Sequence, residues 1–545
     1  MMTAPLRPRA DLATHEVFNQ PEPRDAVALW EGDGPLRAAV ARLAPDEAPA
    51  LARYAAAWGA PEAVEDGRAA NRFAPELRPF DRAGRRIDEV AFHPAYHALM
   101  RRGLEGGYAA RAWSGAPGGH VAHAAMVYMS TQIEPGVCCP MTMTYAAVPA
   151  LRATPELAAR WEWGALSGRY DPASRPAPEK AGLTFGMAMT EKQGGSDVRA
   201  NTTRAARDGE GWRLTGHKWF CSAPMSDAFL TLAWTDKGLS CFLMPRWTPD
   251  GTRNAFQLMR LKDKLGNKAN ASSEIEYHGA WAELVGEEGR GVNAILEMVH
   301  HTRLDTAVAP AALMRRALDE AAWWARGRSA FQKRLIDQPL MTAVLADLAL
   351  DWMGALAAAM RVAAAFDAAE RDPAERAFAR IAVALAKFWS NKRCPVVAYE
   401  AMECLGGAGY VEESPMPWIY REAPLNSIWE GSGNVICLDI LRTMARAPQA
   451  VDALLGELRG ARGADRRYDA ALAEAEAALS RGPHESEARW IAERLALLLQ
   501  GSELLRHGDG SAADAFCRTR LGGDWGRTHG ALPQGVDAAR IAALI

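Results

Sequence analysis

At residues 424–434 the sequence reads Pro-Leu-Asn-Ser-Ile-Trp-Glu-Gly-Ser-Gly-Asn, and an apolar pattern of helical spacing follows over 435–441. The glycines and polar residues predict a loop that opens a helix, which Ser432 or Asn434 can cap. The free N–H groups and positive dipole of such a helix end favour a nearby anion. Glu430 lies there, either as an acid that only complements the dipole or as a functional carboxylate.

Length, charge and cysteine spacing narrow the class of protein. The chain has 545 residues, a formal net charge of -3 and eight cysteines. The length predicts roughly two to four domains, and the charge argues against a global attraction to nucleic acid or anionic lipid. The cysteines have no zinc-type spacing, and 1–18 lacks the apolar core of a signal peptide. We therefore expect a soluble, cytoplasmic protein with reduced thiols, no metal and no membrane partner.

The first part of the chain, residues 1–181, predicts a helical domain. Helical spacing is clear at 36–43 and 121–129, between breaks rich in Pro and Gly. The segment Thr14–Pro23 is too polar and too rich in proline for a helix. It is either an arm that lies on another surface or a loose tail.

Residues 182–290 predict an inserted antiparallel β-domain. Short β-type runs occur at 212–215, 229–234, 239–244 and 274–277, and Thr235-Asp-Lys-Gly238 joins two of them as a hairpin. Helical spacing returns over 292–327, 338–370, 374–405 and 433–446, so residues 291–446 predict a helical bundle. The fold class is therefore mostly α with one inserted β-domain.

The β-domain opens with Met187-Ala-Met-Thr-Glu-Lys-Gln-Gly-Gly-Ser-Asp197. The hydroxyls and exposed backbone amides of such a turn suit a phosphate or the polar edge of a flavin ring. The turn has neither the G-x-G-x-x-G of a dinucleotide-binding Rossmann site nor the G-K-S/T of a P-loop. The turn therefore gives no motif that supports a Rossmann or a P-loop nucleotide site.

The motifs in this order resemble those of the acyl-CoA dehydrogenase family. Thr190-Glu191, Gly195-Ser196-Asp197 and Gly216-His-Lys-Trp-Phe-Cys-Ser222 are similar to its flavin-binding motifs, and Ile428-Trp-Glu-Gly-Ser-Gly433 to its catalytic turn. The resemblance implies a helical domain, a β-barrel-like domain and a helical bundle, with bound FAD, an acyl-CoA or other hydrophobic substrate, and a homotetramer. It also implies that Glu430 is the base that removes the substrate α-proton and that Arg303 contacts the substrate.

The same resemblance assigns the FAD contacts. Phe220 takes the place of a family Trp that stacks on the flavin, and the Ser222 hydroxyl lies near the reactive nitrogen. Arg328 matches an arginine that binds the FAD pyrophosphate of a neighbouring subunit, as a bidentate guanidinium can. Glycines at 406 and 407 let backbone approach the cofactor. The full implied set is Met189, Thr190, Gly195, Ser196, Phe220, Cys221, Ser222, Arg328, Phe331, Gly406, Gly407, Trp429, Ser432 and Asn434.

A narrower resemblance is to the branch of this family that belongs to the bacterial adaptive response to DNA alkylation. The segments that show this resemblance include Thr14-His-Glu-Val-Phe-Asn-Gln-Pro21, Leu261-Lys-Asp-Lys-Leu-Gly-Asn267 and the 424–434 turn. The branch implies weak dehydrogenation of a short branched acyl-CoA and a non-specific affinity for double-stranded DNA that protects it. Departures from the wider family bear on the substrate: Trp429 replaces a Tyr, Lys192-Gln193 replaces Pro-Gly, and His300 replaces an Asp.

Residues 447–545 extend beyond an ordinary member of the family and predict a further helical domain, with helical spacing at 450–458, 468–479 and 488–505. This segment has twelve Arg, no Lys and fourteen Asp plus Glu. Arg518, Arg520 and Arg527 cluster near its end. They suit non-specific contact with DNA phosphates, whereas the alternative is a conventional dehydrogenase in which the segment only stabilises an oligomer.

Overall fold

The computed structural model describes residue 9 and residues 11–545. The N-terminal part is built from α1 (Gly34–Leu43), α2 (Ala48–Gly59), α3 (Pro61–Arg72), α4 (Pro94–Glu105), α5 (Gly119–Thr131), α6 (Pro135–Arg152) and α7 (Pro155–Leu166). Side-chain caps begin several of them: Asp33 accepts from the Leu36 amide and Glu134 from the Val137 amide. Helices α5 and α6 are buried on nearly all sides, which explains their apolar, weakly amphipathic sequences.

One element of this part differs from the prediction of a purely helical domain. Strands β1 (Glu76–Phe80) and β2 (Arg86–Ala91) form an antiparallel hairpin between α3 and α4. Asp88 on β2 accepts from the Leu258 amide and is paired with Arg86 and Arg253. The hairpin therefore joins the helical part to the β-domain, a long-range contact that local spacing does not encode.

The inserted domain is a seven-stranded sheet. Its strands are β3 (Phe185–Ala188), β4 (Arg204–Asp208), β5 (Gly211–Ser222), β6 (Ala228–Thr235), β7 (Gly238–Pro245), β8 (Phe256–Leu261) and β9 (Ser272–Val285). The predicted hairpin is confirmed, since β6 and β7 pair from Ala228↔Pro245 to Thr235↔Gly238. The sheet is mostly antiparallel, as predicted, and differs only in that β3 and β4 pair parallel with β6.

The bundle follows the predicted helical stretches closely. It contains α8 (Gly291–Gly327), the short strands β10 (Ser329–Ala330) and β11 (Lys333–Arg334), α9 (Pro339–Ala368), α10 (Pro373–Cys404), α11 (Met416–Glu422) and α12 (Gly433–Arg446). Helix α9 is long and apolar enough to cross a membrane by length and composition, but 83% of its most apolar window is buried inside the protein.

The C-terminal segment is helical, as predicted, and packs against α9, α10 and α12. Its helices are α13 (Pro448–Arg459), α14 (Arg466–Arg481), α15 (Ala488–His507), α16 (Gly510–Phe516) and α17 (Ala538–Ala542), with a π-helical turn over Cys517–Leu521. Its buried side chains belong to the same apolar core as α5, α8, α9 and α10, whereas the β-domain has a second core of its own.

The segment Thr14–Pro23 lies on another surface, as one of the two sequence interpretations predicted. The Asn19 side chain makes two hydrogen bonds with the Ser329 backbone: Nδ2 donates to the carbonyl at 2.9 Å, and Oδ1 accepts from the amide at 2.7 Å. Arg328 donates to the backbone carbonyl of Asn19 at 3.0 Å. A Cβ at Gly327 would lie 2.4 Å from Pro21 Cβ, so the arm needs a glycine at the end of α8.

Candidate active site

Glu430 has an uncommon backbone conformation. Its φ is +57°, and Gly431 next to it has φ +102°, so two successive residues are in the left-handed region before α12 begins. A non-glycine residue there costs free energy unless the surroundings hold it. The surroundings do so here: Thr302 on α8 donates from Oγ1 to Glu430 Oε2 at 2.6 Å, and Arg303 Nε donates to the Glu430 carbonyl oxygen at 3.2 Å.

Two buried cations hold the loop that carries Glu430. Lys387 on α10 is 2% exposed and donates to the carbonyls of Asn426 and Gly431 at 2.9 and 2.8 Å. Arg303 also binds Asp439 on α12 at 2.8 Å. The Arg303 guanidinium thus supports the turn that carries Glu430. Its contact with substrate stays a prediction.

The electrostatics at this turn involve opposing effects. Burial raises the pKa of the Glu430 carboxyl above its ordinary value, while the Thr302 hydrogen bond and the charges of Arg303 and Lys387 oppose the rise. Burial lowers the pKa of Lys387 to about 7, against the attraction of Glu430. A carboxylate whose proton affinity is raised in this way is suited to accept a proton from carbon near neutral pH.

The predicted flavin loop at 189–197 is organised by a buried ion pair. Glu191 and Lys218 are fully buried and 2.8 Å apart, and Glu191 also accepts from the backbone amides of Thr202 and Thr203. The Lys218 charge and these hydrogen bonds outweigh burial and lower the pKa of Glu191 to about 2. The loop residues themselves are open: Met189, Thr190 and Gly195 are partly exposed and Ser196 is exposed.

Side chains alternate between the two faces of β5, so the predicted flavin contacts at 220–222 do not all face the same way. The Phe220 ring is 47% exposed and Ser222 is partly exposed, whereas Cys221 between them lies in the core of the β-domain. Only the backbone of Cys221 can therefore take part in the predicted contact. An exposed aromatic ring and a partly exposed hydroxyl at the end of one strand fit the stacking and hydrogen bonding that a flavin ring needs.

Cys139 on α6 links the two halves of the site. Its thiol lies near Ser222 and Asn270, and the charges of Lys264 and Glu430 act on it. Burial raises its pKa to about 12, so it is a neutral thiol. The predicted base and the predicted flavin-facing serine, which are 208 residues apart in sequence, thus both lie near this one thiol.

A cavity of about 340 Å³ lies between the N-terminal part and the β-domain. Pro140 and Ala223, the residues after Cys139 and Ser222, line it. Its other lining residues include apolar side chains at Phe92, Met100 and Met225. The volume is at the lower end of the range for small-molecule sites.

A second group of predicted residues meets elsewhere. Arg328, Gly406 and Gly407 line one open surface groove of about 580 Å³, together with Gln20 of the arm. A Cβ at either glycine would meet no atom within 4 Å, so the space above them is free for a ligand. Phe331 lies at the tip of the β10–β11 hairpin, 94% exposed and with φ +52°.

The remaining predicted contacts lie in the turn itself. Trp429 is partly buried and donates from Nε1 to Asn426 Oδ1 at 2.7 Å. Ser432 precedes α12 and Asn434 is in its first turn, but in the part of the chain that the structure describes neither side chain caps the helix. Ser432 therefore occupies the predicted N-cap position with an extended backbone, but its side chain makes no capping hydrogen bond there.

The proposed DNA-contacting cluster is not one surface. Arg520 is buried, and its guanidinium binds Asp347 and Asp351 on α9 at 2.6 and 3.1 Å. The assignment of Arg520 to DNA is wrong, because these two carboxylates and the ring of Trp525 occupy it. Arg518 is held by Asp524 and the Gln534 carbonyl, and Arg527 is exposed.

Sequence reasoning missed several residues that build the site. Thr302 is visible in the sequence only as part of a motif, and Lys387, Cys139 and Lys264 carry no motif that gives them a role. A lysine within the apolar stretch 381–389 of α10, as at 387, is the available signal, since lysines are rarely buried unless they are paired. The partners of these residues depend on packing between distant elements.

Three known protein-family domains match successive parts of this chain. Residues 19–172 match the family described as adaptive response protein AidB N-terminal domain, 186–280 the acyl-CoA dehydrogenase middle domain, and 289–445 the acyl-CoA dehydrogenase C-terminal domain. The chain is 45% identical to AidB of Escherichia coli (strain K12) over 513 residues, 93% of this chain and 94% of that protein. The chain belongs to the acyl-CoA dehydrogenase family.

A relative from a second organism agrees in sequence and in fold. Acyl-CoA dehydrogenase family member 11 of Caenorhabditis elegans is 32% identical over 404 residues, 70% of this chain and 64% of that protein. The crystal structure of ACDH-11 from the same organism, in complex with C11-CoA, superimposes with a TM-score of 0.82 at 28% identity and covers 94% of this chain and 93% of that one. An acyl-CoA dehydrogenase fold with an AidB-type N-terminal domain is thereby confirmed.

Membership of the acyl-CoA dehydrogenase family makes this chain an FAD-dependent oxidoreductase of that type. The residues present fit the cofactor. Phe220 offers an exposed ring, Ser222 a hydroxyl, and Gly406 and Gly407 an open backbone. Arg328 lies in the same groove as these glycines and suits a pyrophosphate.

Proposed function

We propose that the protein carries out α,β-dehydrogenation of a short branched acyl-CoA with Glu430 as the base, at a low rate. The observation that carries this proposal is the Glu430 carboxylate, which Thr302 holds at 2.6 Å in a strained backbone conformation. Cys139 lies near both Glu430 and Ser222. Strain maintained by surrounding contacts at a site of this kind suggests a function that needs it.

The residues divide the chemistry between them. Glu430 takes the proton from the substrate α-carbon, and its raised pKa strengthens it for that step. When bound, FAD supplies the acceptor for the hydride that leaves the β-carbon, so that the α,β double bond forms. Thr302 and Arg303 keep the carboxylate and its backbone in place.

The test is an anaerobic titration of the purified protein, followed by its flavin absorption. The protein should purify yellow, and added FAD should raise its melting temperature, because a ligand that binds the native state stabilises it. Isovaleryl-CoA should bleach the flavin band faster than butyryl-CoA or C11-CoA. A yellow protein that no acyl-CoA reduces would contradict the proposed activity, and a colourless one that takes up no FAD would contradict the cofactor site.

A second proposal is non-specific binding of double-stranded DNA, with protection from alkylation, by a cytoplasmic homotetramer. The match of residues 19–172 to the adaptive response family and the 45% identity to AidB favour it. The burial of Arg520 reduces the support from the C-terminal segment. The competing interpretation is a conventional acyl-CoA dehydrogenase whose residues 447–545 serve only in oligomerisation, and binding to duplex DNA at low salt distinguishes the two.

A further inference from the structure

A chain of polar contacts continues from Ser222 away from the open face of the flavin site. Ser222 and Ser272 are register partners on β5 and β9, and their hydroxyl oxygens are 3.0 Å apart. Lys264, in the loop after β8, donates to Ser272 Oγ at 3.0 Å and also to the Asn270 carbonyl. Ser272 is 4% exposed, so its hydrogen bonds cannot be completed by bulk water.

The chemistry of these groups gives the hydrogen bonds a direction. A lysine ammonium only donates, and a serine hydroxyl has a single hydrogen. Ser272 Oγ therefore accepts from Lys264, and its own hydrogen finds an acceptor in Ser222 Oγ. A buried hydroxyl hydrogen without a partner costs free energy, which disfavours the opposite arrangement. Ser222 is then left with its hydrogen free to point to the open face of the site.

We propose that Lys264 is a positioning residue for the cofactor: through Ser272 it makes the Ser222 hydroxyl a hydrogen-bond donor toward FAD and so favours flavin reduction. The inference rests on the proposed function, because it takes Ser222 as a flavin contact. A donor and a nearby positive charge both favour electron density on the group that they face. Lys264 itself does not touch the substrate or the cofactor in this proposal.

The surroundings of Lys264 make the effect sensitive to pH. The charged or titratable groups that act on it are Cys139 and Glu134 of α6, Glu422 of α11 and Lys268 of its own loop. Burial lowers the pKa of Lys264 to about 8. Above that pH the neutral amine has a lone pair and can accept from Ser272, so the direction of the chain is no longer fixed and the charge is lost. The contribution of Lys264 should therefore be present at pH 7 and mostly lost at pH 9.5.

The experiment compares the midpoint potential of bound FAD in wild type and in Lys264→Met, at pH 7 and pH 9.5, after FAD content has been measured. At pH 7 the equilibrium constant for reduction should fall about tenfold in the variant, which is roughly 30 mV for a two-electron couple. At pH 9.5 the two proteins should have similar potentials. Lys268→Met is the matched control, because it removes a cation from the same loop. The Lys268 ammonium lies 4.0 Å from Asp263 and makes no hydrogen bond with Ser272 among the described residues.

Ser272→Ala provides a second test that keeps Lys264 in place. It should lower the potential at pH 7 as Lys264→Met does, and adding Lys264→Met to it should change little, because the two residues act through one contact. The inference is wrong if Lys264→Met and Lys268→Met shift the potential equally, or if the effects of Lys264→Met and Ser272→Ala simply add. Should Lys264→Met not fold, an unchanged potential in Ser272→Ala overturns the inference by itself. A wild type without FAD contradicts the proposed function instead.

Discussion

At the scale of single residues, the site depends on side chains whose charge is controlled by burial. Glu430 is held by Thr302 and lies on a loop fixed by Lys387. A carboxylate that only complemented a helix dipole would need neither contact. These contacts therefore favour a functional carboxylate at Glu430 over an acid that only complements the helix dipole.

Glu430→Gln should keep FAD but lose most of its reduction by acyl-CoA. Glutamine preserves size and can accept from Thr302, but it cannot take a proton, and loss of a positioned base typically costs about 10²–10⁴-fold in rate. Stopped-flow measurement of anaerobic flavin reduction gives the rate. Glu413→Gln, an exposed glutamate in a surface loop, is the control and should behave as wild type. Equal rates in the two variants would return Glu430 to a structural role.

Another residue-scale prediction concerns His301, which lies among Trp113, Tyr145 and His120. Burial lowers the pKa of His301 to about 4, and His120 and His300 are shifted in the same direction. The unfolded chain, with an ordinary histidine pKa near 6.5, binds more protons than the folded one between these values. Stability is thus present above pH 6.5 and is lost as the pH falls toward 4.

His301→Gln should therefore flatten the dependence of stability on pH in this window. The expected change is up to about 1.4 kcal/mol for each pH unit, measured by urea unfolding at pH 7 and pH 5. His278→Gln, on an exposed strand position, is the control and should leave the slope as in wild type. A slope unchanged by His301→Gln would assign the acid sensitivity to other groups.

At the scale of elements, two aspartates on α9 fix the C-terminal segment to the bundle. Asp347 binds Arg520 and accepts from the Trp525 indole and the Gly530 amide at 2.9 and 2.8 Å. Asp351 binds Arg520 and Arg393. Both aspartates are nearly inaccessible to water. These two acids of the apolar α9 are compensated because the added segment supplies Arg520 and α10 supplies Arg393.

Asp347→Ala should destabilise the protein by about 3–5 kcal/mol, because it removes one of the two carboxylates that compensate the buried Arg520 and leaves the Trp525 and Gly530 donors without their acceptor. Chemical denaturation measures the decrease in stability, and limited proteolysis should cut first within the C-terminal segment. Asp337→Ala just before α9 removes an exposed ion pair with Arg334, and such pairs contribute at most about 1 kcal/mol. Similar decreases in the two variants would mean that Asp347 does not hold the segment.

At the scale of the whole molecule, the distribution of charge decides how DNA could bind. The chain is slightly negative, and Arg459 and Arg462 in the C-terminal segment are both paired with Glu476. With Arg520 buried, Arg518 and Arg527 are what remains of the predicted cluster. A tetramer would repeat them four times, so that modest interactions with phosphates could combine.

Arg518→Ala with Arg527→Ala should weaken binding to all duplex sequences alike. It should also flatten the dependence of log affinity on log salt, by roughly one unit for each DNA phosphate that the protein no longer neutralises. Fluorescence anisotropy over a salt series measures both quantities, and FAD content should not change. The control is Arg459→Ala with Arg462→Ala, which removes the same charge from the same segment. If the control weakens binding as much, the effect is one of net charge and not of this surface.

The sequence by itself determined the elements and the chemistry of single positions. Helical and β-type spacing follow from local burial patterns, so the helices of the bundle and the β6–β7 hairpin were predictable. The motif residues at 190–196, 220–222 and 430 resemble those of the acyl-CoA dehydrogenase family in type and order, and that resemblance implied the family and its cofactor.

Only the tertiary structure decided which side chains meet. Arg520 looked like a surface cation and is buried, because Asp347 and Asp351 lie 173 and 169 residues away in sequence and compensate it. The contacts of Glu430 with Thr302 and of Lys264 with Ser272 likewise join different elements. Burial and pairing depend on packing between distant elements, and local spacing in a sequence carries no information about such distances.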